Sequence, residues 1–421
     1  MMSIFKEKAS MALASFFMAL VFVVLSSAES KAADFPYGKE TDGYEVKLES
    51  GAELKFRFRL QPRFDFGHVS HDNVDYNTDT DFFLRRTRFE TSGKLMSGLD
   101  FALSFAADNW DRNNHSSDME LYHAYIDYRL AKFFRVRMGR YKLPMSRIAL
   151  TSSARQLLIE RPTLVEDQKK FYGDYNQDHV GIFGKSDDGS VTFMFAAADG
   201  WDSEEFDGTF GLPTDVDATI YDAGYAPGIP DLYVKDSDNL LMGKITFSPP
   251  GMGEDRQSDA HIGEGKHMTF GGHYALQKSI KVVECTPPCA GIEAEEDRMT
   301  WGAEFSMHQG PLTLQYEYIY KKIESTNSGL ERRSNGWYIQ GGYLIPGSTL
   351  EVVGRYELND LRDTQGGYDN EIRTVGLNWY GKGHSYKIGT NWVHTMFDKS
   401  SFELAAENEK DVFQVQAQYY F

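Results

Sequence analysis

Cysteine is almost missing from this chain of 421 residues: only Cys285 and Cys289 occur, four positions apart in Cys-Thr-Pro-Pro-Cys. A framework of several disulfides is therefore excluded, and in an exported chain the pair reads as one small disulfide-closed loop. A redox-active pair is the competing reading, weakened because the segment lies between strand-like stretches and not at a helix start. Long apolar runs are also scarce. After residue 28 no uncharged apolar stretch approaches the ~20 residues of a membrane helix, so a helical membrane bundle is excluded. Gly-x-Ser-x-Gly does not occur, and the 11 histidines include no His-Glu-x-x-His, which removes two common hydrolase signatures. An enzyme is not expected, nor any metal or cofactor. Positive charge is in deficit, with a formal net charge of −18, which argues against nucleic acid as a partner.

What is present begins with the N-terminus. Lys6 and Lys8 precede an uncharged stretch, Ala9 to Ala28, whose centre from Met11 to Leu25 is apolar apart from Ser15. Small residues follow in Ala28-Glu29-Ser30-Lys31-Ala32-Ala33. This is the pattern of a secretory signal peptide, residues 1–32, cut after Ala32 or Ala33. A retained membrane anchor is the alternative. Residues 33–421 show no internal linker and no fixed-period repeat, so they are expected to form one domain.

The last ten residues carry a strand signature. Phe413, Val415, Ala417, Tyr419 and Phe421 share one face, and Gln414, Gln416, Gln418 and Tyr420 the other. An apolar face for lipid and a polar face for water suit a barrel wall. Sixteen segments of this character can be marked. They lie near 54–66, 80–95, 98–109, 118–130, 132–143, 178–186, 189–199 and 237–248, then near 266–278, 297–308, 311–324, 331–345, 348–360, 368–381, 384–397 and 411–421. Tight joins at Met96-Ser97-Gly98, Leu130-Ala131, Ser186 to Gly189, Gln309-Gly310, Pro346-Gly347 and Gly381 to Gly383 alternate with longer, acidic connections. An even strand count, with short turns at one end and long loops at the other, predicts an all-β, 16-stranded antiparallel transmembrane barrel. One join breaks the pattern: 249–265 falls on the short-turn side yet is long. It is either a flexible insertion or a slip in the strand count.

The third long connection starts at Pro144 and runs to about Gln177. Its apolar residues would be wasteful in water, so it is expected to fold back into the lumen, although packing as a surface helix is the competing reading. Its candidate pore residues are Arg147, Ser152, Ser153, Arg155 and Arg161. On the first strand Lys55, Arg57, Arg59, Gln61 and Arg63 share a face, with a kink expected at Pro62. Arg86 and Arg88 share a face of the second strand, which leaves Arg85 pointing outward at head-group level. Arg135 and Arg137 share a face of the fifth, and Arg140 and Lys142 follow Gly139 on the opposite parity, as a rim bulge would explain. Always-charged, forked guanidinium groups match phosphate or carboxylate oxygens, so a stripe of them in a wet lumen predicts anion preference. The alternative is that each Arg pairs with a nearby acid and the pore is a general, weakly selective one. A barrel-embedded enzyme or a purely structural barrel is a further alternative.

The motifs Phe82-Phe83-Leu84-Arg85-Arg86-Thr87-Arg88-Phe89, Leu121 to Tyr128 and Met138-Gly139-Arg140-Tyr141-Lys142-Leu143-Pro144 recur in one family. So do Thr151-Ser152-Ser153, Ile159-Glu160-Arg161 and, more weakly, Thr269 to Leu276. On them the chain resembles the phosphate-selective porin O and P family of Gram-negative outer membranes. The resemblance implies a homotrimer of sixteen-stranded barrels in contact with lipid and lipopolysaccharide, with the third loop folded into each pore. It also implies passive diffusion of phosphate-like anions past arginines and a central lysine group. Arg57, Arg59, Arg63, Arg86, Arg88, Arg135 and Arg137 can take the arginine role. Lys142, Lys169 and Lys170 are the nearby lysines, none of them matched to that lysine group.

Overall fold

The computed structural model describes residues 43–47, 52–68, 78–110, 119–172, 176–200, 231–252, 262, 266–285, 292–326, 329, 331–360, 369–397 and 409–421. The expected signal peptide and Cys289 lie outside them. The described strands are β1 (Tyr44–Lys47), β2 (Glu53–His68), β3 (Thr78–Met96), β4 (Leu99–Trp110), β5 (Glu120–Ala131), β6 (Phe134–Lys142), β7 (Asn176–Lys185), β8 (Val191–Ala198), β9 (Asp231–Asp236) and β10 (Leu240–Phe247). They continue as β11 (Lys266–Cys285), β12 (Ile292–Gln309), β13 (Leu312–Ser325), β14 (Glu331–Leu344), β15 (Leu350–Asp360), β16 (Asn370–Lys382), β17 (Tyr386–Phe397) and β18 (Glu409–Tyr420).

Neighbours in sequence pair antiparallel around the sheet, and β18 pairs back onto β2, which closes it. The seam is sealed by Phe58 N to Phe421 O at 3.0 Å and Phe421 N to Phe58 O at 3.2 Å. Two of the described strands add nothing to the circumference. β9 and β10 lie end to end along the same partner, β11, and β1 continues the sheet along β2 beyond the end of β18. The wall therefore has sixteen strands, as the sequence predicts. The long 249–265 connection does not reflect a slip in the count, because β10 and β11 pair directly on either side of it.

Exposure is inverted relative to a soluble sandwich. On β18 the glutamines Gln414, Gln416 and Gln418 are buried while Tyr419 is 45% exposed. The same parity puts Met138, Leu241, Val352 and Val375 outward and Thr300, Gln315 and Glu357 inward. A closed sheet with polar groups on its inner parity and apolar ones outside meets the demands of lipid, since its strands pair with one another all the way round. The tight turns fall where expected. Gly98 takes φ +83° between β3 and β4, a conformation that glycine adopts without a Cβ penalty. In the turn before β8, Ser186 Oγ (2.6 Å) and Ser190 Oγ (2.8 Å) donate to Asp188, holding its carboxyl down at about 2.

Two sequence expectations fail at bulges. The β2–β3 register shifts between Gln61 and Pro62, so Arg85 is the extra residue on β3 and reaches inward, not to the head-group level. Pro62, which cannot donate to the ladder, marks the site. At Gly139 the expected bulge is absent: the register is unbroken toward both β5 and β7, and Tyr141 stays on the face of Arg137, 5.1 Å from its guanidinium.

Candidate functional site

The connection from Leu143 to Tyr172 holds three short helical pieces. Ser146 caps Arg147–Leu150, Ser152 caps the 3₁₀ turn Ser153–Arg155, and Thr163–Phe171 follows Pro162. Its apolar residues are sheltered by the inner parity of the wall. Met145 and Phe171 pack with Met242 and Ala275, Ile148 and Leu164 with Ile319 and Tyr338, and Leu157 and Leu158 with Val353 and Tyr380. Ile262, from the long 249–265 connection, packs on that last cluster.

Hydrogen bonds tie the connection to strands that it does not join. Ser146 Oγ (2.9 Å) and Arg147 N (3.3 Å) donate to Glu317 on β13, which also accepts from Tyr338 OH (2.9 Å). Thr163 N donates to Glu357 at 2.8 Å, and Arg355 donates to the Glu160 carbonyl at 2.8 Å. Asn378, Lys387 and Gln418 donate to the carbonyls of Leu157 (2.7 Å), Gln156 (2.6 Å) and Ala154 (3.0 Å). From β2, Arg59 donates to Ser153 Oγ (2.7 Å) and Ser152 Oγ (3.2 Å). Of the loop residues singled out in sequence, Ser152 and Ser153 thus meet the arginine stripe. Arg147 and Arg161 are buried, and Arg161 donates to the carbonyls of Ile148 (3.2 Å) and Thr151 (3.3 Å) within the connection itself. Arg155 is half-buried on the 3₁₀ turn.

The seven wall arginines sort by their carboxylate partners. Arg57 donates to Ser92 at 3.2 Å, and Arg59 pairs with Glu90 at 3.2 Å. Arg63 grips Asp65 through two bonds of 2.5 and 2.6 Å and also donates to Glu160. Arg86 donates to Gln61 (3.2 Å) and Glu160 (3.3 Å), and Arg85, assigned outward from sequence, donates to the same carboxylate at 2.5 and 3.1 Å. Arg88 pairs with Asp108 and lies 3.7 Å above the Tyr122 ring. Further round the wall Arg137 donates to Asp127 at 2.6 and 3.1 Å and stacks 4.2 Å over Tyr125, while Arg135 lies 3.4 Å from both Asp100 and Asp127. Burial alone would raise the Glu160 carboxyl, but Arg85, Arg63 and Arg86 together hold it well below the usual carboxylate range.

Lys142 donates to the carbonyls of Ala149 (2.6 Å) and Thr151 (3.0 Å), while the side chains of Lys169 and Lys170 lie outside the described residues. One grouping was invisible to spacing rules. His273, Glu304 and Glu317, on three adjacent strands, bring ligand-type atoms within 4.8 Å of one another. Glu304 and Glu317 face each other in register, and Lys244 ion-pairs with Glu304. With an ammonium already on Glu304 and loop donors on Glu317, the row reads as an anchor for the connection.

The sequence profile of the family described as phosphate-selective porin O and P matches residues 56–247 and 289–421. The chain belongs to this family. An uncharacterized protein of Aquifex aeolicus (strain VF5) is 32% identical over 438 residues, covering 95% of this chain and 98% of that protein. Porin O of Pseudomonas aeruginosa is 23% identical over 412 residues, covering 88% and 89% of the two chains. The solved anion-selective porin from Comamonas acidovorans superposes with a TM-score of 0.54 at 13% identity, over 88% of this chain and all of that one, which supports the fold. Family and fold make this porin a channel of the Gram-negative outer membrane and not an enzyme.

Proposed function

We propose that this porin passes small anions, phosphate-like oxyanions among them, by passive diffusion. In this reading the connection 143–172 folds into the lumen and sets its narrowest section. The observation that carries it is the surplus of cations beside that connection. Arg59, Arg63, Arg85, Arg86, Arg88, Arg147, Arg161, Arg355 and Lys387 outnumber Asp65, Glu90, Asp108, Glu160, Glu166, Glu317 and Glu357. A low-dielectric wall strengthens that excess relative to water, and field lines focus in the channel, so a negative chain can still draw anions. Removal of residues 1–32 on export, assembly as a homotrimer and contact with lipopolysaccharide complete the proposal.

Pairing of most wall arginines with carboxylates favours a second reading, a general pore with weak selectivity. Reversal potential across planar bilayers under a salt gradient separates the two. A potential of anion-selective sign supports the proposal, a value near zero supports the general pore, and cation selectivity overturns anion preference.

A further inference from the structure

We infer that the Glu160 side chain is a tethered occupant of the oxyanion path, filling the Arg63, Arg85 and Arg86 group until a doubly charged anion displaces it. The inference rests on the anion-channel reading. Three guanidinium groups from two strands converge on one carboxylate. Oε1 accepts from Arg63 Nη1 and from Arg85 Nε at 2.5 Å, and Oε2 accepts from Arg85 Nη2 at 3.1 Å and Arg86 Nη2 at 3.3 Å. The convergence depends on an irregular backbone. In a regular strand Arg85 and Arg86 would point to opposite faces, and the bulge opposite Gln61 and Pro62 brings both to one side.

The cations are built into the wall and the occupant is not. Side-chain exposure is 4% for Arg63, 15% for Arg85 and 1% for Arg86, against 27% for Glu160. Arg63 is fixed from behind by Asp65 and lies 5.4 Å over Phe83, and Arg86 is held by Gln61, so neither depends on Glu160 for its position. The main chain of Glu160 is held separately by Arg355 at its carbonyl. Its carboxylate can therefore swing away while the backbone stays.

Three guanidinium charges against Asp65 and Glu160 leave one positive charge uncompensated. A dianion in place of the carboxylate would neutralise it and would offer more oxygens to the same donors. Phosphate and sulfate have that chemistry; chloride and nitrate do not. A tethered carboxylate competes at high effective concentration, which weakens net binding and returns the bound ion to the stream. Conduction requires such release.

The test uses full-length channels in planar bilayers carrying chloride current, with inorganic phosphate added at about pH 8, where it is doubly charged. Glu160→Ala should lower the half-blocking phosphate concentration by about ten-fold or more, as the removal of one competing charge at contact distance implies. Sulfate should follow phosphate and nitrate should not. Adding Arg85→Ala to Glu160→Ala should reverse the gain. If Glu160→Ala does not insert, the isosteric Glu160→Gln carries the same expectation. An anion-selective wild type whose phosphate block is unchanged or weaker in these variants overturns the inference and leaves the channel reading standing. A cation-selective wild type overturns both.

Discussion

Replacing Asp127 with Asn should make the channel more anion-selective. The Asp127 side chain is 2% exposed and holds Arg137 at 2.6 and 3.1 Å and Arg135 at 3.4 Å. Its neighbours have other support: Arg135 keeps Asp100 at 3.4 Å, and Arg137 keeps its stack over Tyr125 at 4.2 Å. The substitution therefore uncovers one positive charge without dismantling the wall. For an ion about 8 Å away and an effective dielectric of about 40, that charge is worth 332/(40 × 8), or about 1 kcal/mol. It favours an anion and opposes a cation, so the two separate by about 2 kcal/mol before screening. With a Debye length of about 10 Å at 0.1 M salt, roughly half survives, which corresponds to about a five-fold rise in the anion-to-cation permeability ratio. Reversal potential in a salt gradient reads the ratio directly, and Asp127→Glu should restore it. Because Arg135 and Arg137 keep 34% and 25% side-chain exposure, the loss of a partner should fall below the ~3–5 kcal/mol of a fully buried pair, leaving heat-modifiable gel mobility intact. An unchanged or reduced ratio in a normally folded variant would refute the reasoning, because it would mean that ions do not pass within reach of this wall.

Arg57→Ala and Arg59→Ala should each reduce anion selectivity in the same assay, but only Arg59→Ala should also raise single-channel conductance. Arg59 holds Ser152 and Ser153 of the connection, a charged hydrogen bond contributing about 1.5–3 kcal/mol, whereas Arg57 reaches Ser92 on the adjacent strand. Equal conductance in the two variants would show that the tether does not set the pore. The Glu160 clamp should also resist acid. A carboxyl whose folded value is depressed contributes stability that is complete above its ordinary value of about 4.3 and is lost only as pH falls through the lowered one. Conductance should therefore hold steady between about pH 7 and pH 4.5. A step in that window that vanishes in Glu160→Gln would contradict the clamp.

The wall was legible because its physics is local. Alternation with a period of two marks each strand, and lipid outside against water inside makes the pattern strong enough to read without a partner strand. Even so, the sequence missed β1 and β9, where Asp231-Leu-Tyr-Val-Lys-Asp is short and carries charge at both ends. The site was less legible because its geometry is relational. Asp127 and Arg137 are cross-strand neighbours, a fact visible only once the β5–β6 register is known. Arg85 was assigned outward because parity counting assumes a ladder without extra residues, and the bulge at Pro62 breaks that assumption. Glu160 sits next to Arg161 in sequence, yet its partners are Arg63, Arg85 and Arg86 on β2 and β3, strands that the connection does not join. No local period encodes that meeting. Gly139 shows the converse error: the ladder runs through it without an inserted residue, and Tyr141 keeps the face of Arg137.

A compensated ladder is compatible with selection. Guanidinium groups left bare in a narrow lumen would repel one another and hold a dianion too tightly to release it. Carboxylates placed behind or between them fix each fork in one orientation, and the rings of Tyr122 and Tyr125 fix the plane of Arg88 and Arg137. On the proposed reading an anion meets donors already aligned, and the ordering cost of binding falls. Each carboxylate that orients an arginine also lowers the local potential, so orientation and attraction trade against each other along the path. Where the carboxylate belongs to the rigid wall, as Asp65 and Asp127 do, that balance is fixed. Where it hangs from the connection, as Glu160 does, it can shift as an ion arrives, and that difference makes the Arg63–Arg85–Arg86 group the place where binding strength and release rate can be tuned by one side chain.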